Sequence, residues 1–113
     1  MINFIYNYWK IFTLLILSLI TFLSLYPLPE LPSSGGVDKF HHFIAYFILA
    51  IFISIVRPKN YMKYILFFIF YGGAIEIIQP YVNRYSDFFD FVSSTLGVLT
   101  SNYLGYFYNK LVK

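Results

Sequence analysis

The sequence predicts an all-α fold, a membrane-spanning antiparallel four-helix bundle. Hydrophobic residues make up 59% of the 113 residues and charged residues 12%, about half the charged share of an ordinary soluble domain. The mean hydropathy is +0.68. Four apolar segments follow one another with short connections between them, and short connections join antiparallel neighbours in a helical bundle. We therefore expect a single transmembrane domain over residues 1–113.

The first predicted helix covers approximately residues 8–26. Its apolar run from Ile11 to Tyr26 carries no charge, and about sixteen to nineteen such residues just cover a hydrocarbon core of roughly 30 Å. A cleaved signal peptide is the alternative. The run is followed by Leu25-Tyr26-Pro27-Leu28-Pro29 and not by a small-x-small cleavage site, so we expect an uncleaved helix that ends at these prolines.

The second and third predicted helices cover approximately residues 40–56 and 61–79. The turn Arg57-Pro58-Lys59-Asn60 separates them, because proline and asparagine break a helical pattern. Both segments are short on strictly apolar residues. They reach the length of a membrane span only if His42 and Glu76 lie in its outer margin.

The fourth predicted helix covers approximately residues 88–108 and carries small or polar residues every three to four positions. Small residues four apart let membrane helices approach closely. We therefore interpret this stripe as a packing seam, and we expect Val98 and Leu99 to face outward. The stripe consists of Asp90, Ser94, Gly97, Ser101 and Gly105.

The distribution of lysine and arginine predicts the orientation of the bundle. Six of these residues lie in the N-terminal segment, the 57–63 loop and the C-terminal segment, against Lys39 and Arg84 in the other two loops. Short cytoplasmic loops carry the excess of positive charge. We therefore expect both termini in the cytoplasm of a bacterial inner membrane, and the polar ends of helices two to four at its outer face.

The candidate site is a group of polar side chains at that outer face. Placing ionisable side chains next to lipid costs free energy, so a cluster of them usually marks a functional polar site. Residues four apart on a helix share one face, which groups Asp38, His42 and Tyr46. The candidate site residues are Asp38, Lys39, His42, Tyr46, Glu76, Gln79, Arg84, Asp87, Asp90 and Ser94.

Several of these residues have a purely structural alternative. Glu76 is either an ion-paired clasp, held by Lys39, Arg84 or protonated His42, or a carboxylate that transfers protons or binds a head group. His42 is either a structural, hydrogen-bonded imidazole or a functional one. Arg84 is either solvated in its loop or bound to a lipid phosphate, which suits a guanidinium group.

The sequence gives no specific signature for an enzyme, a metal or a cofactor. It has no cysteine, which excludes disulfides, thiolate metal sites and cysteine nucleophiles. A metal site would have to combine Asp38, His42, Glu76 and Asp90. With one well-placed histidine and no closely spaced ligand motif, we expect none. Neither a Gly-x-Ser-x-Gly elbow nor a glycine-rich phosphate loop is present. The formal net charge of +3 is dispersed, so we expect no nucleic-acid partner.

Three sequence blocks carry a resemblance to a known family: Asp38-Lys39-x-x-His42-Phe43-x-x-Tyr46, Glu76-x-x-Gln79 and Arg84-x-x-Asp87-x-x-Asp90-x-x-x-Ser94-x-x-Gly97. Together they resemble the VanZ-like family of small bacterial membrane proteins, named after an accessory glycopeptide (teicoplanin) resistance protein. The family commonly has Asn at the position of Ser94 and Gly at that of Ser101, so an amide-dependent hydrogen bond there has no counterpart. The resemblance spans about residues 38–105 and implies a multi-pass membrane protein. It links the chain to resistance by family likeness alone.

Three hypotheses of function follow. In the first, the outer-face pocket engages an envelope lipid or a lipid-linked cell-wall intermediate. Lys39 and Arg84 would then contact phosphate, while Glu76, His42 and Asp90 order the pocket or relay a proton. In the second, the chain is a membrane enzyme with His42 and Glu76 as general acid and base. In the third, it is a non-catalytic subunit or scaffold that docks a larger membrane-protein partner.

Overall fold

The computed structural model describes residues 2–25, 37–82 and 88–112, without the side chains of residues 2, 37, 38 and 82. Within these ranges the fold is all-helical, as the sequence predicts, and its four α-helices pack together. The elements are α1 (Ile2–Leu25), α2 (Val37–Val56), α3 (Tyr61–Ile78), the 3₁₀ helix Gln79–Val82 and α4 (Phe88–Val112).

The helix boundaries agree with the prediction at the 57–60 turn and at Phe88, but three helices are longer than predicted. The first begins at Ile2, the second at Val37, and the fourth ends at Val112. An apolar run ends at the first polar residue, whereas a helix continues through polar residues that project beyond the apolar layer. Lys110 lies in the last turn of α4, where a positive charge interacts favourably with the helix dipole.

Among the described helices, three are long and apolar enough to cross a membrane, judged by length and composition. These segments are Asn3–Leu25, Lys39–Val56 and Tyr61–Tyr81. The fourth helix has 25 residues, which is also sufficient length. Its hydropathy is lower because it carries Asp90 and a series of serine, threonine and asparagine residues.

The second helix lies at the centre of the bundle. It shares its most extensive interface with α4 and a smaller one with α1, while α3 packs mainly against α4. Apolar side chains from all four helices form the core. They are Trp9, Ile20, Tyr46, Leu49, Ala50, Ile53, Ile65, Phe68 and Val98.

The packing seam predicted on α4 faces α2. A Cβ atom at Gly97 would overlap the carbonyl oxygen of Phe43, and one at Gly105 would overlap the carbonyl group of Ser54. The stripe is buried along its whole length, and the hydroxyl of Ser101 donates a 2.9 Å hydrogen bond to the Phe47 carbonyl oxygen. The prediction of a seam is therefore confirmed.

The outward orientation predicted for Val98 is wrong, whereas Leu99 is exposed as expected. Val98 is fully buried in the core. Val98 lies four residues after Ser94 and three before Ser101, so helical periodicity places it beside the buried stripe. The buried face of α4 therefore includes Val98 as well as the small residues.

Candidate functional site

The polar side chains at one end of the bundle come from three helix ends. An antiparallel arrangement brings the start of α2, the end of α3 and the start of α4 together. Lys39 and His42 lie in the first turns of α2, Glu76 in the last turn of α3, and Asp90 and Ser94 in the first turns of α4. The predictions for the Asp38 side chain, Arg84 and Asp87 lie outside the described residues.

His42 links carboxylates that belong to two different helices. Its Nδ1 atom lies 3.7 Å from Oε1 of Glu76 and 3.3 Å from Oγ of Ser94. Its Nε2 atom lies 3.8 Å from Oδ2 of Asp90. The imidazole therefore contacts α3 and α4 at once, and both ring nitrogens face polar oxygen atoms.

Lys39 belongs to the same group and lies on its solvent-exposed side. Its Nζ atom lies 3.8 Å from Oδ1 of Asp90, and its side chain is 32% exposed, whereas the carboxylates of Asp90 and Glu76 are buried. With His42 protonated, the four side chains carry two positive and two negative charges. His42, one of the three partners expected for Glu76 from the sequence, lies beside that carboxylate, and Lys39 lies beside Asp90.

Tyr46 and Gln79 extend the polar group toward α1. Both are buried. The amide nitrogen of Gln79 donates a 3.0 Å hydrogen bond to the Ser24 carbonyl oxygen, which ties the end of α3 to α1. The hydroxyl of Tyr46 and the side-chain oxygen of Gln79 have no hydrogen-bond partner among the described residues. A buried polar atom without a partner costs about 1–3 kcal/mol, so both atoms favour a polar ligand group.

A cleft of about 380 Å³ lies beside these two residues, between α1 and α2. Sequence reasoning missed the contribution of α1, because that helix has no ionisable group near this end. His41, which was not among the candidate site residues, lines the cleft together with His42. The polar lining is Ser24, His41, His42, Tyr46 and Gln79, and the apolar lining is Ile16, Leu19, Ile20, Leu23, Ala45 and Ile48.

His42, Glu76 and Asp90 are the described residues that could hold a metal ion. Each offers one ligand atom, and these atoms lie within 4.8 Å of one another. Imidazole nitrogen and carboxylate oxygen are common ligands of divalent metals. Lys39 already provides a positive charge beside Asp90. The expectation that the chain binds no metal stays a prediction.

Comparisons of the chain with protein-family models, with curated proteins and with solved structures give no match. The fold and the site define a class, an all-helical bundle with ionisable side chains gathered at one end. Assignment to the VanZ-like family stays a prediction that rests on the three sequence blocks.

Proposed function

We propose that this chain is a VanZ-like protein of the bacterial inner membrane. Its outer-face polar site binds the phosphate-bearing head group of an envelope lipid or of a lipid-linked cell-wall intermediate. One observation carries the proposal. Ionisable side chains from three helices converge at one end of a largely apolar bundle, next to a cleft with both polar and apolar walls.

The distribution of polar residues supports the membrane location. Polar side chains such as Ser54 and Ser101 are fully buried, whereas large apolar side chains such as Leu15 and Phe70 are exposed. Buried polar groups and an apolar exterior suit a lipid environment, where the outer surface meets hydrocarbon chains. The bundle is 47 Å long, comparable to a whole bilayer of about 40–45 Å.

The same distribution supports α4 as the fourth membrane-spanning helix. Its serine and glycine stripe is buried against α2. Its exposed side chains are largely apolar, including Leu96, Leu99, Leu104 and Phe107. Lipid would therefore meet an apolar surface, although the helix as a whole is less apolar than the other three. Six of the eight lysine and arginine residues lie toward the termini and the 57–63 loop, which supports an outward-facing polar site.

The contacts of the site support particular roles for its residues. Lys39 is partly exposed and is held by Asp90, so its ammonium group can meet a phosphate at the rim. Arg84 lies outside the described residues, and its role as a second cation is expected from the sequence alone. His42, Glu76 and Asp90 order the pocket, while the hydrocarbon chain of the ligand lies in the cleft between α1 and α2.

A second candidate function, acid–base catalysis on such a lipid, is favoured by the contact between His42 and Glu76. Their closest polar atoms are 3.7 Å apart. This distance is longer than a catalytic hydrogen bond, but such bonds often tighten only when substrate binds. The third candidate, a scaffold for a larger membrane complex, needs no ligand at the polar site.

Photochemical labelling in lipid nanodiscs tests the first proposal. The probes are a photoreactive polyprenyl phosphate and a photoreactive phosphatidylglycerol, used separately to distinguish a lipid-linked intermediate from an ordinary envelope lipid. We expect Lys39→Gln to reduce labelling by the preferred probe roughly tenfold, because a hydrogen bond to a charged group contributes about 1.5–3 kcal/mol. Lys59→Gln, at the other end of the bundle, is the matched control.

Equal labelling of the wild type and Lys39→Gln would contradict the binding proposal and favour the scaffold. The acid–base alternative predicts chemical conversion of a bound probe. His42→Ala and Glu76→Gln would then abolish product formation while the probe still binds. If neither probe is converted by the wild type, this alternative fails.

A further inference from the structure

A second cleft, of about 570 Å³, lies between the first halves of α1 and α3. It is at the opposite end of the bundle from the polar site, because the polar site includes the last turn of α3. Two lysines, Lys10 and Lys63, and Asn60 line its mouth. Its walls are apolar and aromatic, formed by Trp9, Leu14, Leu17, Tyr64, Phe67 and Phe68.

The electrostatics of this mouth favour an anion. All five acidic residues of the chain lie elsewhere in the sequence, at positions 30, 38, 76, 87 and 90. The N-terminus of α3 also points its partial positive charge toward the mouth. Asn60, which precedes that helix, makes no side-chain capping hydrogen bond.

A buried hydroxyl group provides an independent observation. Thr13 lines the cleft about one helical turn deeper than Lys10, and it is only 8% exposed. Its Oγ1 atom has no hydrogen-bond partner among the residues that the structure describes. A buried hydroxyl without a partner is costly, so this position favours a ligand that brings a polar atom to this depth.

The chemistry of the cleft changes with depth in the order found along a phospholipid. Cationic groups come first, at Lys10 and Lys63. The hydroxyl of Thr13 follows, and the apolar side chains of Leu17 and Phe68 come next. A phospholipid has its phosphate outermost, then its ester oxygens, then its acyl chains. Leu17 lies about 10 Å deeper than Lys10 along α1, at 1.5 Å per residue.

We propose that this cleft binds one anionic phospholipid. Its phosphate lies between Lys10 and Lys63, an ester oxygen accepts a hydrogen bond from Thr13, and an acyl chain lies between α1 and α3. An apolar partner helix in the same place would bury two lysines without counter-charges, which is unfavourable. The proposal rests on the membrane location proposed above, but it does not depend on a ligand at the polar site.

The test is a lipid titration of the purified full-length chain in mild detergent, followed by native mass spectrometry. The probes are phosphatidylglycerol and phosphatidylcholine with identical acyl chains. We expect one saturable phosphatidylglycerol that binds roughly tenfold more tightly than phosphatidylcholine, since a lysine near an anionic surface contributes about 1 kcal/mol. The double variant Lys10→Gln/Lys63→Gln loses this preference.

Two matched controls distinguish a specific cleft from general attraction by the basic end. Lys59→Gln/Lys110→Gln removes the same charge outside the cleft and keeps the preference. Leu14→Trp fills the cleft without a change in charge and weakens phosphatidylglycerol binding. Leu15→Trp, outside the cleft, leaves phosphatidylglycerol binding unchanged. It is a matched control because Leu14 and Leu15 are almost equally exposed, at 63% and 62%. Size-exclusion chromatography checks that each variant is folded.

Three results would overturn the proposal: equal losses in the two lysine pairs, equal binding by Leu14→Trp and Leu15→Trp, or no saturable first lipid. Lys39→Gln separates this site from the polar site. That variant keeps the phosphatidylglycerol site whether or not the polar site binds a lipid. A chain that does not enter membranes at all would lose both sites.

Discussion

At the scale of single residues, His42 joins the two buried carboxylates of the candidate site. Among the predicted site residues that the structure describes, Lys39, His42, Glu76 and Asp90 lie together at this end of the bundle. The sequence blocks could not predict the individual pairs, because these depend on the relative register of three helices. His42 therefore contacts both Glu76 and Asp90, and Lys39 contacts Asp90.

The Lys39–Asp90 pair gives a test of charge compensation. Removing one member of a buried pair leaves an uncompensated charge. Since Lys39 is partly exposed, we expect Lys39→Ala to lower the unfolding free energy by about 2 kcal/mol, less than for a fully buried pair. Adding Asp90→Asn should restore part of this stability. Thermal unfolding and the amount of folded protein in the membrane measure both effects, with Lys59→Ala as the control.

The function of the double variant distinguishes a binding site from a structural clasp. If the site binds a lipid head group, Lys39→Ala/Asp90→Asn regains abundance but not photochemical labelling. Recovery of both would show that the pair only holds the helices together. No recovery of abundance would contradict the pairing itself.

At the scale of secondary structure elements, the α2–α4 interface was the most predictable part of the fold. The spacing of Gly97, Ser101 and Gly105 gives a face of small residues, and close packing follows from their lack of bulk. The burial of Val98 could have been predicted in the same way. Val98 lies four residues after Ser94 and three before Ser101, so it lies beside the stripe on the same side of α4.

The hydrogen bond between Arg57 and Asn102, at the opposite end of the bundle, could not be predicted from the sequence. The sequence predicted a turn at 57–60, and the turn is present. Arg57 adopts a positive φ of 48° and donates a 2.8 Å hydrogen bond to the carbonyl oxygen of Asn102. Its guanidinium also lies over the Tyr61 ring, 4.4 Å from the centroid. Asn102 is distant in sequence, so local turn signals could not reveal this contact.

The seam itself gives the second prediction. Gly97→Leu should separate α4 from α2, because even a Cβ atom would meet the backbone of Phe43. Backbone atoms cannot yield as a flexible side chain can. We expect severe loss of folded protein, measured by fluorescence-detected size-exclusion chromatography. Leu99→Ile, on the exposed side of the same helix, should change little. Normal accumulation of Gly97→Leu would contradict the observed packing.

At the scale of the whole molecule, apolar side chains form both the core and much of the surface, and some polar side chains such as Ser54 and Ser101 are buried. The bundle has one end with the polar site and one basic end. The apolar segments and their order predicted the number of helices and their antiparallel course. The two clefts were not predicted, because each one depends on how α1 packs, and α1 carries no charged residue between Lys10 and its end. The central claim is that this bundle spans a membrane with its polar site outward.

Cysteine labelling tests that claim most directly, because the chain has no native cysteine. Single cysteines replace Ser34, Asn60 or Asn83 in the chain expressed in a bacterial host, and an impermeant maleimide is applied to intact spheroplasts. We expect labelling at positions 34 and 83, and labelling at position 60 only after the membrane is permeabilised. Labelling of position 60 alone would invert the bundle and move the polar site to the cytoplasmic face. Equal labelling of all three before permeabilisation would contradict the membrane-spanning arrangement.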